Sequence, residues 1–364
     1  MNKKIYFNNL FNVNNLFIKK FNKKYKQFIK SGNYILGKSV EQFEEKFSKF
    51  NGAKYCVGVG NGFDALSIAF KSLNLDRDSE VLLPSNAYIA CILSVVNAGL
   101  KPILIEPNIG TYNIDATKIR EKISRNTKAI LALHLYGKPC DIINIKSICD
   151  AKNLYLVEDC AQSHGASVDK KIVGTFGDFG CYSFYPTKNL GALGDGGALI
   201  TNNYNFFEKI KKIRNYGSKK RYFNEVLGVN SRLDEFQACF LNIKLQYLKS
   251  INKYKKKLAL IYDTFLKDDF VKPIFEKNVE DVFYIYNIRH IRRDKLKKYL
   301  LKNNIETDIH YPTPVYRQPV FKNIFKNERF PISDEIHNTT LSLPISFATT
   351  EKEIYRIIKV LNNF

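Results

Sequence analysis

The chain has 364 residues, more than one hydrophobic core usually serves, so its length predicts two domains. Hydrophobic residues make up 45%, yet no apolar run is long enough to span a membrane and the N-terminus lacks the unbroken apolar core of a signal peptide. We therefore expect a cytoplasmic protein with no membrane partner. The net charge is +22, but the lysines are scattered among Asn and Ile without a nucleic-acid-binding motif, which argues against a nucleic-acid partner.

Cysteine usage agrees with a reducing compartment. The seven cysteines are odd in number and show no C-x-x-C spacing. Several of them, such as Cys56 and Cys181, lie in apolar strand contexts. The pattern predicts free, packed thiols and no metal site.

The first chemically informative segment is a short apolar strand, Cys56–Val59, that runs into the glycine-rich turn 60–62. Behind the turn, apolar residues recur at helical spacing, and Asp64 is the expected N-cap. A strand, a glycine turn and a helix N-terminus form an anion site from backbone N–H groups and the helix dipole. The spacing does not match G-x-G-x-x-G, and no P-loop occurs, so the segment argues against nicotinamide and nucleoside triphosphate cofactors.

A second segment carries a carboxylate at the end of a buried strand. Leu154–Val157 is a run of apolar residues typical of a parallel strand, and Asp159 lies just beyond it. Ligands of open α/β sheets bind at this edge. Asp159 could pair with the pyridine nitrogen of a cofactor, with Gln162 facing the ring oxygen; the alternative is that Asp159 caps the following turn. We expect His164 to be an interior histidine without a catalytic role.

The third segment places Lys188 between Pro186 and a run of glycines. A lysine can hold an aldehyde cofactor as a Schiff base if its amine is fixed in a partly desolvated pocket. The alternative is a surface lysine on a glycine-rich turn. The anion site, Asp159 and Lys188 together predict a pyridoxal phosphate site, in which the hydroxyl of Ser183 contacts the phosphate.

The remaining pattern predicts an α/β fold. Strand-like runs that alternate with helical patterns are Cys56–Val59, Val81–Leu83, Ile103–Ile105, Ala129–Leu133, Leu154–Val157, Cys181–Phe184 and Ala198–Thr201. A long helix is predicted from Arg232 to about Ser250. It passes from a large domain (1–245) to a smaller α+β domain (246–364). The smaller domain is expected to contain a strand over 282–286, a lysine-rich helix after Asp294, and a return segment that brings His310 to the cleft.

Motifs along nearly the whole chain resemble one family. Besides the three segments above, these are Asn86–Ala90, Thr111–Asp115, His134–Gly137, Arg214–Ser218, Gly228–Glu235 and His310–Pro312. The set is similar to the sugar-nucleotide aminotransferases, pyridoxal phosphate enzymes of the aspartate aminotransferase superfamily. The segments 60–66 and 184–194 look most like the branch that acts on dTDP-linked 3-keto-6-deoxyhexoses. The resemblance implies fold type I: a large domain with a mostly parallel seven-stranded sheet flanked by helices, and a smaller C-terminal domain.

The resemblance also implies residue roles. Lys188 holds the cofactor and transfers protons, and Asp159 is the partner of the pyridine nitrogen. Further cofactor contacts implied are Gln162, Ser183, Gly62, Phe63, Tyr88 (stacked on the ring) and Asn230 (from the neighbouring subunit). Sugar-pocket residues implied are Tyr185, His310 and Tyr311. Our candidates for the pyrophosphate of the substrate are Lys219, Lys220, Arg221 and Tyr222, in the loop after Ser218; the alternative is a solvated loop.

Three positions depart from the family pattern without removing a catalytic group. Phe63 stands where a small hydroxyl residue is common, so its contact must be through the backbone. Ala87 and Cys160 replace an expected Thr and Ala.

The implied reaction is a ping-pong transamination by a homodimer with shared active sites. L-Glutamate donates its amino group to the cofactor, which passes it to the keto carbon of a nucleotide-linked hexose, giving an amino sugar for a surface glycan. The closest alternative is a 4-keto sugar-nucleotide aminotransferase, and a pyridoxal phosphate-binding regulator or nucleic-acid-binding protein is a third. A relative that removes a sugar hydroxyl carries histidine in place of the lysine, so Lys188 argues against it. For Asn230, the alternative is that it caps the helix beginning near Arg232.

Overall fold

The computed structural model describes residues 3–364, and its helices are distributed along the whole of that range. The α-helices are α1 (Leu10–Asn15), α2 (Ile18–Ser31), α3 (Lys38–Asn51), α4 (Gly62–Leu73), α5 (Ile89–Asn97), α6 (Ala116–Lys122), α7 (Ile142–Lys152), α8 (Tyr204–Ile213), α9 (Glu235–Leu245), α10 (Leu248–Phe265), α11 (Arg293–Lys302), α12 (Pro331–Thr339) and α13 (Glu351–Leu361). Within this range, no helix combines the length and the apolar character needed to cross a membrane.

The strands form one large sheet and three small ones. They are β1 (Tyr55–Val59), β2 (Glu80–Pro84), β3 (Lys101–Ile105), β4 (Thr127–Leu133), β5 (Tyr155–Asp159), β6 (Ser167–Val168), β7 (Lys171–Ile172), β8 (Phe179–Ser183), β9 (Gly197–Thr201), β10 (Ser218–Lys220), β11 (Phe223–Asn224), β12 (Val279–Glu280), β13 (Tyr286–Arg289) and β14 (Thr340–Leu343). The large sheet has seven strands in the order β1-β9-β8-β5-β4-β2-β3. Neighbours from β3 to β8 are parallel, and β9 is antiparallel to both β8 and β1.

This sheet confirms the predicted α/β class and its seven strands. Both faces are covered, because alternate residues of one strand enter different apolar clusters: Val57 and Val59 pack with α4, α5 and α8, whereas Cys56 packs with α3, α7 and α9. The seven cysteines are free and buried, as expected from their sequence contexts.

A third apolar cluster lies in the C-terminal part of the chain. It contains Leu258 of α10, Tyr286 of β13 and Leu343 of β14, and Ile5 from the N-terminal segment packs into it. Helix α10 joins the two halves, because Leu248 at its start packs under the large sheet. The predicted domain boundary at 245/246 falls in the turn between α9 and α10 and stays a prediction.

Three local predictions are wrong. The helix expected from Arg232 to Ser250 is two helices, α9 and α10, since the chain turns after Leu245 to pass from the large sheet to the third cluster. The strand expected over 282–286 begins only at Tyr286, because Phe283 has a φ of 45°, which interrupts extended backbone. Asp64 is not the N-cap of α4: the side chain of Asn61 accepts the hydrogen bond from the Asp64 backbone N–H at 2.8 Å.

Candidate active site

A cavity of about 620 Å³ opens at the carboxyl ends of the parallel strands. It is lined from both halves of the chain and from the N-terminal segment, where Phe7 and Leu10 contribute. The site residues expected from the sequence that line it are Gly62, Phe63, Tyr88, Asp159, Gln162, Ser183, Tyr185, Lys188, His310 and Tyr311. The fold therefore brings together side chains that are up to 249 positions apart in the chain, counted from Gly62 to Tyr311.

Lys188 lies on the loop that follows β8. Its backbone N–H donates to the Tyr185 carbonyl at 2.9 Å, and its amine lies over the ring of Tyr284, 4.4 Å from the centroid. The loop folds back tightly here, since a side chain at Gly191 would collide with the Pro186 carbonyl oxygen. The glycine at 191 is thus required by a close approach of backbone.

Asp159 is the last residue of β5 and is 4% exposed. Its Oδ1 accepts from the Ala161 backbone N–H at 2.9 Å, and its Oδ2 lies 3.1 Å from the Cys91 thiol, which donates to it. The structure thus shows the turn cap that the sequence left as one alternative, and Asp159 also lines the cavity; its pairing with a pyridine nitrogen stays a prediction. Burial, together with this carboxylate, raises the pKa of the Cys91 thiol, so Cys91 stays protonated and remains a donor.

The N-terminus of α4 lies beside Ser183 and presents backbone N–H donors there. Asn61 satisfies the N–H groups of Asp64 and Ala65, so the donors of Gly62 and Phe63 precede the first intrahelical bonds. A Cβ on Gly62 would lie 2.6 Å from the Ser183 Cβ. Glycine therefore lets the helix start approach β8, and two backbone donors, a hydroxyl and the helix dipole converge on one place.

Gln162 and Tyr311 are fixed to each other at the side of the cavity. The Gln162 Oε1 accepts from the Tyr136 backbone N–H at 2.6 Å, and its Nε2 donates to the Tyr311 hydroxyl at 3.0 Å. Tyr88, the half-exposed N-cap of α5, has its ring centroid 5.1 Å from that of Tyr311. The two aromatic rings and the amide form one wall.

His310 is a neutral group at neutral pH. Burial lowers its pKa to about 4, although the neighbouring Asp308 carboxylate acts in the opposite sense. Its Nδ1 lies 3.0 Å from the Ser342 hydroxyl. The imidazole can therefore act as a hydrogen-bonding group toward a ligand without adding charge.

Three sequence candidates do not line this cavity. Lys219 and Tyr222 belong to the exposed hairpin β10–β11, and Asn230 is exposed in a bridge with Asn215. The capping alternative for Asn230 is wrong, since α9 begins at Glu235 with Asp234 as N-cap. In one chain, these residues form a separate surface segment.

Sequence reasoning missed the buried lysines of the site. Lys244 of α9 and Lys255 of α10 line the cavity and are 2% and 4% exposed. In the sequence, Lys255 stands in a run of three lysines that is typical of a solvated helix face. Only the helical phase, with Leu248, Ile251 and Leu258 on the same side, could have indicated burial.

His134, Glu158 and Cys160 bring potential metal-ligand atoms within 4.8 Å of one another beneath the site. Two of the three already have hydrogen-bond partners: Glu158 accepts from His134 Nε2 and from the backbone N–H groups of Gly174, Phe176 and Gly177. The His134 Nδ1 accepts from the Cys140 N–H. The group stabilises the loop between β7 and β8 against the sheet.

Comparison with known proteins gives consistent matches. The model of the DegT/DnrJ/EryC1/StrS aminotransferase family matches residues 16–362. A dTDP-3-amino-3,6-dideoxy-alpha-D-galactopyranose transaminase of Aneurinibacillus thermoaerophilus is 44% identical over 353 residues, covering 97% of each chain. A dTDP-3-amino-3,4,6-trideoxy-alpha-D-glucose transaminase of Streptomyces venezuelae is 35% identical, covering 92% of this chain and 89% of the relative. The crystal structure of S. venezuelae DesV in complex with a ketimine intermediate superposes with a TM-score of 0.97 at 33% identity, covering 100% of this chain and 98% of that chain.

Proposed function

Because the chain belongs to the DegT/DnrJ/EryC1/StrS aminotransferase family, we propose that it moves the amino group of L-glutamate to the keto carbon of a dTDP-linked 3-keto-6-deoxyhexose. The products are a dTDP-3-amino-3,6-dideoxyhexose and 2-oxoglutarate. The name and the 44% identity of the Aneurinibacillus relative support this substrate class. The observation that carries the proposal is that Lys188, Asp159 and the N-terminus of α4 line one cavity.

The cofactor of the enzyme is pyridoxal 5′-phosphate, and the residues of the cavity fit its three polar ends. The N–H groups of Gly62 and Phe63, which precede the first intrahelical bonds of α4, and the Ser183 hydroxyl suit a phosphate. The buried carboxylate of Asp159 suits a protonated pyridine nitrogen, and the amine of Lys188 suits the aldehyde. When bound, the cofactor supplies a protonated ring that delocalises the electron pair released at the α-carbon of the amino donor.

Lys188 and Asp159 have complementary roles in this proposal. The amine of Lys188 would act as the general base that takes the proton from the donor's α-carbon and then, once protonated, as the general acid that delivers this proton to the aldehyde carbon of the cofactor. The ring of Tyr284 beneath this amine limits its range of motion. The carboxylate of Asp159 would stabilise positive charge on the ring nitrogen. The Ala161 N–H and the Cys91 thiol keep its oxygens oriented.

The wall of the cavity orients the reactants. In our proposal, the ring of Tyr88 covers one face of the cofactor, and Gln162, held by the Tyr136 N–H, donates to its ring oxygen. Tyr185, Tyr311 and His310 contact the sugar, and His310 does so as a neutral imidazole. Neutral hydrogen-bonding groups suit hydroxyl and keto oxygens.

We infer a homodimer with shared sites. Asn230, Lys219 and Tyr222 belong to one exposed segment outside the cavity of their own chain, which supports the inference that they act on the neighbour's cavity. There, Asn230 contacts the cofactor phosphate and Lys219 the pyrophosphate of the substrate. The seven free, buried cysteines support the cytoplasmic location expected from the sequence.

The substrate class is tested with both keto isomers. Purified protein is incubated with L-glutamate and either the dTDP-linked 3-keto or the 4-keto 6-deoxyhexose, and the 2-oxoglutarate and the amino sugar nucleotide are measured by mass spectrometry. We expect turnover with the 3-keto isomer. Faster turnover of the 4-keto isomer would assign the enzyme to the alternative branch. DNA retention without glutamate-dependent turnover would favour the regulator.

A further inference from the structure

Two buried lysines hold the turn that follows Lys188. The amine of Lys255 donates to the Asn189 Oδ1 at 2.6 Å and to the Tyr284 carbonyl at 3.1 Å. The amine of Lys244 donates to the Gly191 carbonyl at 2.5 Å and to the Asn14 Oδ1 at 3.3 Å. The two amines thus contact the turn at its first and third residues, Asn189 and Gly191.

Both lysine side chains are buried, and each amine donates only to uncharged amide or carbonyl oxygens. Burial lowers the pKa of Lys255 to about 7, although the half-buried Asp281 carboxyl acts in the opposite sense, and burial lowers the pKa of Lys244 to about 8. Each amine has two hydrogen-bond acceptors among these groups. Burying a lysine amine costs free energy unless its N–H donors have partners, and the groups that Lys255 contacts therefore indicate its role.

Lys255 touches both supports of Lys188. Asn189 is the next residue in the chain, and the ring of Tyr284 lies beneath the Lys188 amine. The same ring centroid is 5.8 Å from the Lys255 amine. Asn189 is further fixed by its Nδ2, which donates to Asn252 Oδ1 and to the Val282 carbonyl. Helix α10, through Lys255 and Asn252, therefore holds the lysine loop and the 282–284 segment in one arrangement.

We propose that Lys255 is a positioning residue for Lys188: by clamping Asn189 and the Tyr284 backbone together, it keeps the reactive amine above the Tyr284 ring and inside the cavity. This inference rests on the proposed role of Lys188 as the cofactor lysine. Lys255 does not itself contact the reacting atoms. Replacing Lys255 is expected to preserve the fold and to let the Lys188 amine move away from its position over the Tyr284 ring.

The test follows the attachment of cofactor to Lys188 in protein freed of cofactor. Pyridoxal phosphate is added, the reaction is stopped with borohydride at successive times, and the modified fraction of the Lys188 peptide is measured by mass spectrometry. We expect Lys255→Met to slow attachment by about tenfold or more, since small displacements of a reacting group are costly. Lys253→Met, which replaces an exposed lysine on the same helix, should react at the wild-type rate. A wild-type rate in Lys255→Met overturns the proposal.

A second variant keeps the test valid if Lys255→Met folds poorly. Asn189→Ala removes the acceptor on the loop side, and it should also slow attachment while circular dichroism and the melting temperature stay close to wild type. If the contact between the two residues carries the effect, the double variant is no slower than the slower single variant. Rates that fall by the product of the two single effects contradict a shared contact.

The same experiment separates this inference from the proposed function. If wild-type protein is modified at another lysine, the assignment of Lys188 fails whatever Lys255 does. If Lys188 is modified in wild type and equally fast in both variants, Lys188 stands and the positioning role of Lys255 fails.

Discussion

Asp159 has both carboxylate oxygens engaged by the protein before any ligand is considered. The Ala161 N–H fixes Oδ1, and the Cys91 thiol fixes Oδ2. A carboxylate held in this way loses little orientational freedom when it pairs with a positive ring nitrogen, which is the condition for strong electrostatic stabilisation.

Removing the negative charge of Asp159 should leave cofactor binding largely intact and lower the rate of transamination. Asp159→Asn keeps the size of the side chain. The groups proposed to bind the phosphate and the amine of Lys188 are unchanged, so the variant should still bind pyridoxal phosphate. Transamination should fall by about two orders of magnitude or more, because a neutral amide does not stabilise the protonated pyridine. Absorbance titration measures binding and 2-oxoglutarate release measures turnover. Asp169→Asn, at an exposed carboxylate, is the control; near-normal turnover in Asp159→Asn would mean that the acid partner lies elsewhere.

At the scale of single residues, chemical type decided what could be predicted. Lys188, Asp159 and Gly62 were recognisable because few residue types perform their chemistry and each stands next to a strand end. Lys255 and Cys91 were not, because their sequence contexts are those of a solvated helix and a packed core. Their importance lies in contacts with Asn189 and Asp159 across the fold, and pairs so distant in sequence leave no local pattern.

Helix α4 contributes to the site through its first turn. Its position relative to β8 depends on Gly62, where a Cβ would lie 2.6 Å from the Ser183 Cβ. The helix start and the strand end can therefore share an anion only when position 62 lacks a side chain.

We accordingly expect Gly62→Ala to weaken cofactor binding. The added methyl group pushes the helix start away from Ser183 and misaligns the donors of Gly62 and Phe63, so the affinity for pyridoxal phosphate should fall by about tenfold or more. Gly110→Ala is a matched control, since its Cβ would meet its nearest neighbour at 3.4 Å. Titration of cofactor-free protein, followed by fluorescence, gives both dissociation constants. Equal affinities in the two variants would show that the phosphate is held elsewhere.

Elements were predicted well where they carry a strict pattern and badly where tertiary contacts override it. All seven strands of the large sheet were found because strands buried on both faces are short apolar runs bounded by polar residues. The helical pattern from 232 to 250 is continuous in sequence, but periodicity reports which side is buried and not whether the axis is unbroken. The backbone of Phe283 in the left-handed region is likewise set by packing, because its side chain is 2% exposed.

At the scale of the whole molecule, the segment from Asn215 to Asn230 needs a partner to have a role in catalysis. A backbone bridge between Asn215 and Asn230 closes the segment at its base, and Tyr222 within it is 86% exposed. A dimer in which this segment covers the neighbour's cavity would bring its polar groups to the cofactor phosphate and the substrate.

Subunit exchange tests the shared site. Lys188→Ala and Asn230→Asp chains should each be inactive, the first for lack of the reactive amine and the second because a carboxylate repels the phosphate. Mixed dimers should regain activity, because one of their two sites contains Lys188 from one chain and Asn230 from the other. Activity is measured before and after mixing, and native mass spectrometry demonstrates exchange. If mixed dimers form and no activity returns, the sites are not shared.

The net charge of +22 does not indicate which lysines line the site. Most lysines lie on the surface, yet Lys188, Lys244 and Lys255 converge on one cavity. The sequence indicated fold class and cofactor site because glycines and apolar runs constrain the backbone. Which of many lysines are buried depends on how α9 and α10 pack under the sheet, and composition contains no information on that.

The central claim is that Lys188 is the residue that holds pyridoxal phosphate. The most direct measurement is reduction of the purified, cofactor-loaded protein with borohydride, followed by digestion and mass spectrometry of the lysine-containing peptides. The account predicts the cofactor on the peptide that contains Lys188, and no cofactor on it in Lys188→Arg, whose guanidinium stays protonated and cannot form the bond. Cofactor fixed to any other lysine of the wild-type protein, Lys244 and Lys255 included, would contradict it.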